Sequence, residues 1–288
     1  MPKVSVILPT YNRAHLLPRA INSVLSQSFK DLELIIIDDC SQDNTDQIVK
    51  SADDGRIKHL KHTRNKGSAA AKNMGLKHAS GQYIAFLDDD DEWLPGKLQK
   101  QVEIIERLPD RVGIVYSNIQ KILNNEKIPI TTPRFMPEDG IAHKEILEGT
   151  KCNIHIQTAL IKKECFEKAG KFDEALPRAV DYDLFIRLSK HYLFYHIDEC
   201  SAVRYAGPGN ISSNKEFKVT SRILMLQKYY EDIKALGARA LSDKLYNIGI
   251  AAYRCRNNPL AREYLVKSIK AFPFRMNAYF TLLRVLLS

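Results

Sequence analysis

Two runs of consecutive apolar residues, each followed at once by acids, place the strongest constraint on the fold of this chain. The first run, Leu34–Ile37, ends in Asp38–Asp39, and the second, Tyr83–Leu87, ends in Asp88–Asp91. Uninterrupted apolar runs are typical of strands that are buried on both faces of a parallel sheet. In such sheets, ligands bind outside the carboxyl ends of the strands. Both acidic clusters therefore fall where a ligand site is expected.

The first hundred residues alternate between strand and helix patterns, which favours a parallel α/β sheet. Strands are predicted at Val4–Leu8, Leu34–Ile37, Ile57–His62 and Tyr83–Leu87, and helices at Ala14–Leu25, Ser41–Lys50 (with Ser41 or Asp43 as N-cap), Ser68–His78 and from Pro95 onward. A strand at Val112–Ser117 and a helix at Asp181–Lys190 follow, and from about Ser221 the pattern is purely helical. We therefore divide the chain into an α/β domain of residues 1–220 and a helical extension of residues 221–288.

The formal net charge of +9 belongs to the helical part of the chain. Residues 1–200 hold 28 Lys and Arg against 29 Asp and Glu, a net charge of −1, whereas residues 201–288 hold 15 against 5, a net charge of +10. A basic surface binds nucleic acid, contacts an anionic membrane, or has no particular partner. The charge by itself leaves these three alternatives open.

The composition, 44% hydrophobic and 27% charged, is that of an ordinary soluble globular protein. No apolar run approaches the roughly 18–20 residues that cross a bilayer. The first apolar stretch of the chain is too short and too often interrupted by other residues to be a secretory signal. The five cysteines are scattered and form no Cys-x-x-Cys pair, namely Cys40, Cys152, Cys165, Cys200 and Cys255. This spacing predicts reduced thiols in a cytoplasmic protein and argues against a zinc ribbon or a disulfide framework.

The acidic run Asp88–Asp91 is the strongest chemical signal, because four adjacent carboxylates repel one another unless a cation lies among them. Mg²⁺ and Mn²⁺ take oxygen ligands and commonly bridge to substrate phosphates. The alternative is a solvated acidic turn. This alternative is less favoured because the acids follow an apolar strand directly. Asp38–Asp39, near Thr10, Tyr11 and Asn12, offers a carboxylate acceptor beside an aromatic ring, as a nucleobase pocket requires. The alternative there is that one of the two acids caps the following helix.

Several segments, in order along the chain, resemble the family 2 glycosyltransferases of the GT-A type. They are Val4–Arg13, Ile37–Asp43, Arg64–Gly67 with Ala71–Gly75, Gly81–Asp91, Ala169–Glu174 and Val180–Leu188. Asp88–Asp90 corresponds to the family's D-x-D motif, and the match covers roughly residues 3–212. The resemblance implies a Rossmann-like GT-A fold, with a mixed, mostly parallel sheet flanked by helices and followed by the α-helical extension. It also implies an inverting, metal-dependent transfer of sugar from a nucleotide-diphospho-sugar, most simply a UDP-sugar, to a hydroxyl of a saccharide acceptor.

The resemblance implies a role for individual residues. Those implied to bind the nucleotide are Pro9, Thr10, Tyr11, Asn12, Asp39, Lys72, Asp88 and Asp89. In this set Tyr11 would stack on the base, Asp39 would accept from a uracil N–H, Asp89 would lie near the ribose, and Lys72 would contact the phosphates. Asp90 would bind Mg²⁺ or Mn²⁺, and Asp181 would be the general base that takes the acceptor's hydroxyl proton. The alternative for Asp181 and Asp183 is that they are first-turn acids favoured by the helix dipole.

Three positions depart from the family pattern. Lys72 stands where the family usually carries Arg, which weakens bidentate phosphate recognition. Val180 stands where an acidic residue is common, and Ala206 where many relatives carry His. A histidine contact to metal or phosphate is therefore not expected from that segment, and Arg204 or Lys215 would have to supply compensating charge.

The basic extension carries a second, weaker resemblance, to a single tetratricopeptide-type helix pair. It rests on the spacing of Leu245, Gly249, Ala261, Leu265 and Pro273. One such repeat cannot bury its own faces, so it packs on the catalytic domain, on another subunit or on a partner. The last predicted helix, Asn277–Leu287, has an apolar face with Arg275 and Arg284 alongside. It suits either an interfacial membrane helix or a helix packed back on the domain.

Two other function classes remain as alternatives at this stage. A sugar nucleotidyltransferase needs a Gly-rich loop after the first strand, and Pro9–Arg13 contains no glycine. A nucleic-acid-binding protein would use the +10 tail, which lacks an aromatic-plus-basic platform, so no nucleic-acid partner is expected. The leading prediction is a cytoplasmic enzyme, peripheral on the inner face of the cell membrane, that assembles surface polysaccharide, lipopolysaccharide or a related glycan. The predicted acceptor is a saccharide, either free or linked to a lipid carrier. The sequence leaves the oligomeric state open.

Overall fold

The computed structural model describes residues 1–123, 126–130, 143–149, 154–205 and 215–288. Contacts divide the chain into one unit of Met1–Glu174 with Asp181–Ala206 and a second unit of Ala175–Val180 with Gly207–Ser288. This division differs from the boundary placed at residue 220, which lies inside the helix Lys215–Lys228. The break in composition is the Gly-, Pro- and Ser-containing run that precedes residue 215.

The first unit is built around a mixed, mostly parallel sheet. Its described strands are β1 (Val4–Thr10), β2 (Leu32–Asp38), β3 (Ile57–Lys61), β4 (Tyr83–Phe86), β5 (Glu92–Trp93), β6 (Val112–Leu123), β7 (Glu126–Ile130), β8 (Leu160–Lys162) and β9 (Leu193–Tyr205). The strand order is β3-β2-β1-β4-β8-β6-β9-β5, with β7 paired to β6. Parallel pairing joins β1 to β2 and β4, β2 to β3, and β6 to β9. The predicted fold class is confirmed.

Helices flank this sheet, as predicted. They are α1 (Leu17–Leu25), α2 (Thr45–Ser51), α3 (Ser68–His78), α4 (Lys97–Ile105), α5 (His143–Glu148), a short 3-10 helix (Ile156–Thr158), α6 (Cys165–Ala169) and α7 (Val180–Ser189). The run Leu34–Ile37 is fully buried. On one face of the sheet, Leu34 and Ile36 pack in one core with Leu17, Ile21, Leu98 and Val102 from α1 and α4. On the other face, Gly75 of α3 lies directly against the side chain of Ile7 in β1. The near-continuous apolar runs are therefore covered on both faces, as a parallel sheet requires.

Helix α2 begins at Thr45, four residues later than predicted. Neither Ser41 nor Asp43 is its N-cap residue, which is Asn44, although Asp43 Oδ1 accepts a hydrogen bond from Thr45 N over 3.2 Å. The side chains of Ser41 and Asp43 also hold the chain that follows β1. Asn12 N donates to Ser41 Oγ over 2.9 Å, and Ala14 N donates to Asp43 Oδ2 over 2.9 Å. The two loops at the carboxyl ends of β1 and β2 are thereby fixed to each other.

The second unit contains α8 (Lys215–Lys228), α9 (Tyr230–Ala235), α10 (Ala238–Arg254), α11 (Asn258–Ala271) and α12 (Met276–Leu287) among its described residues. Helices α10 and α11 approach closely at Gly249, where a Cβ atom would lie 2.8 Å from Leu265 Cγ and 3.3 Å from the Ala261 carbonyl oxygen. Only glycine fits there, which agrees with the helix-pair spacing seen in the sequence. Across the described ranges, every helix is too short or too polar to traverse a bilayer.

A buried lysine lies in the core of the first unit. Lys97 is 3% exposed, its Nζ donates to Gln101 Oε1 over 2.6 Å, and it lies 4.1 Å from the centre of the Trp93 ring. Burial lowers the pKa of Lys97 from 10.5 to about 7. The unfolded chain therefore binds more protons at this residue than the folded chain between about pH 7 and pH 10.5.

We expect the free energy of unfolding to rise with pH across that window. At pH 7 the unfolded chain must release a proton from Lys97 in order to fold, whereas near pH 10.5 the unfolded chain has already lost that proton. Replacing Lys97 by Met removes this part of the pH dependence and leaves stability at pH 7 equal or higher, by up to about 4 kcal/mol. Denaturant unfolding of both proteins at pH 7 and pH 9.5 measures the difference. An identical pH dependence in the two proteins would contradict the prediction.

Candidate functional site

The loop after β4 carries the acidic run beside the end of β1. Thr10 donates from Oγ1 to Asp89 Oδ2 over 2.8 Å, and Arg13 Nη1 lies 3.0 Å from Asp89 Oδ1 and 3.1 Å from Asp90 Oδ2. Burial raises the pKa of Asp89 to about 6, although the charge of Arg13 opposes the rise. Asp89 thus joins the ends of two adjacent parallel strands.

Asp91 is hydrogen-bonded to two other segments of the first unit. One of its oxygens accepts a hydrogen bond from Gln157 Nε2 over 2.6 Å and the other accepts from Tyr205 N over 3.0 Å. Burial, followed by the charges of Asp88 and Asp90, raises the pKa of Asp91 to about 8. Asp91 therefore ties the 3-10 helix and the end of β9 to the acidic run, and both of its oxygens are engaged within the protein.

Asp88 and Asp90 keep partly exposed side chains, 37% and 15% respectively. Their carboxylates are hard oxygen ligands, and Mg²⁺ or Mn²⁺ is often held by one or two carboxylates together with substrate phosphates. The donor set therefore fits a divalent cation bound with a nucleotide. Because Arg13 also contacts Asp90, a cation must share that carboxylate with Arg13 or displace it.

In the described ranges, three further groups able to bind a metal lie together, at Asp38, Asp46 and His59. Lys61 already occupies this position, with its Nζ 3.0 Å from Asp38 Oδ2 and 3.4 Å from Asp46 Oδ2. The lysine supplies the positive charge that a metal would bring. These residues therefore act as a structural ion pair between β2, β3 and α2.

Asp39 organises the loop between β3 and α3. Its Oδ1 accepts from Lys66 N over 2.9 Å and its Oδ2 from Gly67 N over 2.7 Å, while His62 Nδ1 lies 2.7 Å from Oδ1. A carboxylate offers about four acceptor positions, so one remains for a base N–H. Asp39 N also donates to the Thr10 carbonyl over 2.9 Å, which places this carboxylate beside the residues that follow β1.

The segment after β1 presents an aromatic ring to solvent. Tyr11 is 44% exposed, whereas Pro9 and Thr10 lie buried within β1. Asn12 adopts a left-handed backbone conformation with φ of 51°, and its Oδ1 accepts from Gln42 N over 2.7 Å. The turn is therefore fixed by its own hydrogen bonds, and the Tyr11 ring is left open for stacking.

Lys72 pairs with the candidate base. Its Nζ donates to Asp181 Oδ1 over 2.9 Å and lies 3.8 Å from Asp88 Oδ1. Burial raises the pKa of Asp181, and the charge of Lys72 opposes this rise. Burial disfavours the charged form of Lys72 as well, but Asp181 and Asp88 outweigh it and raise the lysine's pKa. The structure thus brings the candidate base and the acidic run to one lysine, a contact that the sequence did not indicate.

Hydrogen bonds fix both α7, which carries Asp181 in its first turn, and the segment that precedes it. Fully buried Asp183 accepts from Arg187 Nε and Nη2 over 3.0 and 2.8 Å, and Arg187 donates to the Lys171 carbonyl over 2.7 Å. Asn73 on α3 exchanges hydrogen bonds with the backbone of Phe172, over 2.9 and 3.0 Å. Asp183 is therefore a structural acid, and Lys72 and Asn73 together join α3 to the segment around α7.

Sequence reasoning missed three side chains at this site. Arg19 donates from Nη2 to the Asp90 carbonyl over 2.5 Å and stacks 3.6 Å from the centre of the Tyr205 ring. His155 has a buried Nε2 with no hydrogen-bond partner. Burial lowers the pKa of His155 to about 4; the charge of Arg204 adds to this effect and the charge of Asp88 opposes it. Arg13 was quoted only as part of a motif. No local pattern marks Arg19 or His155, because the groups they interact with lie far away in the chain.

Three positions singled out in the sequence lie either outside the described residues or in the second unit. Ala206 and Cys152 lie outside the described residues. Lys215 begins α8 in the second unit. The described cysteines, Cys40, Cys165, Cys200 and Cys255, are free thiols, as the spacing predicted.

The sequence matches known proteins along most of the first unit. A family model described as glycosyl transferase family 2 matches residues 5–169. The chain is 35% identical to the Escherichia coli UDP-Glc:alpha-D-GlcNAc-diphosphoundecaprenol beta-1,3-glucosyltransferase WfgD, over 76% of this chain and 83% of that protein. It is 30% identical to the putative colanic acid biosynthesis glycosyl transferase WcaA of E. coli K12, over 75% of this chain and 78% of that protein.

Solved structures share the fold at lower sequence identity. S. aureus TarS in complex with UDP-GlcNAc is 19% identical, with a TM-score of 0.68 over 96% of this chain and 83% of that chain. The mannosyltransferase PcManGT from Pyrobaculum calidifontis, in complex with GDP-Man and Mn²⁺, is 19% identical, with a TM-score of 0.65 over 99% and 86%. Because the family model spans more than half of the chain and a relative is 35% identical over most of both lengths, this chain belongs to glycosyl transferase family 2 and is a glycosyltransferase with the GT-A fold.

Proposed function

We propose that this enzyme is an inverting glycosyltransferase that moves sugar from a UDP-sugar to a hydroxyl of a saccharide acceptor during surface glycan assembly. One observation carries the proposal: buried Lys72 lies 2.9 Å from Asp181 and 3.8 Å from Asp88. A carboxylate able to act as a base is thereby held close to the acids that would bind the donor. Inverting transfer requires these two groups in one cleft, on opposite sides of the reacting carbon.

In the proposed reaction, Asp181 accepts the proton of the acceptor hydroxyl as that oxygen attacks the anomeric carbon. The bond from this carbon to the diphosphate oxygen breaks, and a nucleoside diphosphate leaves. A divalent cation at Asp88 and Asp90 supplies charge stabilisation for the leaving diphosphate when it is bound. Lys72 lies between the base and the acidic run. Its positive charge there stabilises the Asp181 carboxylate and the negative charge that develops on the leaving diphosphate.

The nucleotide pocket in this proposal consists of the loop after β1 together with Asp39. Exposed Tyr11 stacks on the base, and the remaining acceptor position of Asp39 takes the N–H of uracil. Asn12 and Pro9 hold the turn, and Asp89 orients Thr10 and Arg13 next to the ribose. The name of the WfgD relative specifies UDP-Glc as its donor, which supports a uridine nucleotide here.

For the acceptor we propose a saccharide carried on a lipid diphosphate. The name of the same relative specifies a diphosphoundecaprenol-linked GlcNAc, and WcaA is named for colanic acid biosynthesis. We further propose that the enzyme works on the cytoplasmic side, in peripheral contact with the inner face of the cell membrane through its basic helices. The +10 net charge of residues 201–288 supports an anionic surface as the partner.

A panel of nucleotide sugars tests the donor assignment. We expect UDP-Glc or another UDP-sugar, together with Mn²⁺, to raise the melting temperature, and GDP-mannose to have a smaller effect. Asp39→Asn reduces the uridine preference, because a neutral amide offers one acceptor oxygen instead of two. Donor hydrolysis measured with Mn²⁺ and with EDTA completes the assay. No response to any UDP-sugar would remove the uracil assignment of Asp39.

A further inference from the structure

Helix α12 has apolar residues on two opposite faces. On one face, Ala278 and Val285 are 0% and 6% exposed and belong to the same core cluster as Leu265 of α11. The other face carries a stripe of four exposed apolar side chains, Met276 (60% exposed), Phe280 (61%), Leu283 (56%) and Leu287 (80%). A helix that is apolar all round is normally buried in a core, a membrane or an interface.

The stripe is one continuous surface. Its members are spaced i, i+4, i+7 and i+11, which places them on one side of a helix with 3.6 residues per turn. Phe274, 81% exposed immediately before the helix, and Tyr279 and Leu286, 41% and 56% exposed beside the stripe, widen it. Single exposed apolar residues need no explanation, but a contiguous patch of large ones marks a binding surface.

The charged side chains of this helix and of the residues just before it are basic. After Glu263 the sequence contains no acid, whereas Lys267, Lys270, Arg275 and Arg284 follow it. Lys267 and Arg275 are paired with Glu263 and Asp243. Within the described part of the chain, exposed Lys270 and Arg284 have no carboxylate at ion-pair distance. Arg284 lies one residue from Leu283 on the solvent side of α12.

The exposed apolar stripe and the basic residues beside it favour one kind of surface as the partner of the stripe. A second copy of the helix would bring the same positive charges together, which costs free energy. An anionic bilayer attracts them, at about 1 kcal/mol for each basic residue near the surface, and its interface takes up apolar side chains and an aromatic ring at the edge. We propose that Phe274 and α12 lie in the interface of an anionic lipid bilayer, with the exposed stripe inserted.

The insertion itself follows from the exposed stripe and the charges. Its purpose, bringing the enzyme to a lipid-linked acceptor, rests on the proposed function. The binding measurement therefore uses no donor, metal or acceptor, and its result is independent of whether the sugar-transfer assignment holds.

Flotation of the full chain with lipid vesicles tests the proposal. We expect the protein to float with phosphatidylcholine vesicles containing phosphatidylglycerol and to remain unbound with pure phosphatidylcholine. The double variant Phe280→Ser/Leu287→Ser lowers vesicle partitioning by on the order of tenfold or more, because two large apolar side chains no longer leave water. Arg284→Gln weakens binding to anionic vesicles by several-fold.

Tyr230→Ser is the matched control, since Tyr230 is a 40% exposed aromatic residue on α9; it should bind as the wild type does. The stripe variants should keep the wild-type melting temperature, because the replaced side chains face solvent. Absence of flotation, or flotation unchanged in the double variant, overturns the proposal. So does a dimer in size-exclusion chromatography that the double variant abolishes, because the stripe would then be an interface between copies.

Discussion

Asp181→Asn is expected to lower kcat for sugar transfer by about 10²–10⁴-fold, the contribution of a positioned general base. The amide keeps the shape of the side chain but cannot accept the proton of the acceptor hydroxyl. Donor affinity should change little, because Asp181 lies across Lys72 from the acidic run. Initial rates with saturating donor and acceptor, together with UDP binding by calorimetry, separate the two effects.

The substitution also removes the nearest charged partner of a lysine that is 3% exposed. Some loss of stability is therefore expected, and it must be separated from the loss of catalysis. The double variant Lys72→Met/Asp181→Asn removes the unpaired buried charge and should recover stability without recovering activity. Asp110→Asn, at a fully exposed carboxylate, is the control for a surface change. Near-wild-type kcat in Asp181→Asn would remove Asp181 from the role of base.

The pH profile gives an independent check on the same residue. Burial raises the pKa of Asp181 above its ordinary value of about 3.9. A protonated carboxyl cannot accept the acceptor's proton, so kcat/KM should fall as the pH is lowered through that raised pKa. The acid limb should therefore lie at a higher pH than an ordinary aspartate would give, and it should be absent from the residual activity of Asp181→Asn.

Asp90→Ala is expected to abolish Mn²⁺-dependent binding of UDP and to lower kcat/KM by on the order of a thousandfold, because a cation supplies several kcal/mol at the leaving diphosphate. Folding should be retained, since Asp90 is partly exposed and the Arg13 it contacts keeps Asp89 as a partner. Electron paramagnetic resonance of Mn²⁺, with and without UDP, measures the loss directly and does not depend on turnover.

Asp91, the next residue along the chain, provides the control. Asp91→Ala leaves Gln157 Nε2 and Tyr205 N without their acceptor, which costs about 1–3 kcal/mol for each buried group left unpaired. The expected phenotype is a lower melting temperature with Mn²⁺ binding retained in the folded protein. Wild-type Mn²⁺ and UDP binding in Asp90→Ala, or loss of Mn²⁺ binding without destabilisation in Asp91→Ala, would contradict this division of the acidic run.

The order of the core elements was predictable because their signals are local. Leu34–Ile37 and Tyr83–Leu87 read as buried strands, and α3 begins and ends where its pattern does. The predicted ends of helices and strands were wrong where tertiary contacts changed the local structure. Helix α2 starts late because Ser41 and Asp43 bind the backbone after β1. Strand β1 runs on through Pro9 because pairing with β4 ends at Ile7, leaving a neighbour only on the β2 side.

The family, the α/β core and the edge of the sheet at which the acids collect could all be predicted from the amino-acid sequence, because buried strand runs and their parallel connections define that edge. Tertiary structure alone decided what each acid does. Asp91 holds distant segments together because Gln157 of the 3-10 helix and Tyr205 at the end of β9 both donate to it, and Asp39 organises a loop through Lys66 and Gly67. Lys72 and Asp181, 109 residues apart, meet only after the sheet has formed. Such pairings depend on positions in space that no local pattern encodes.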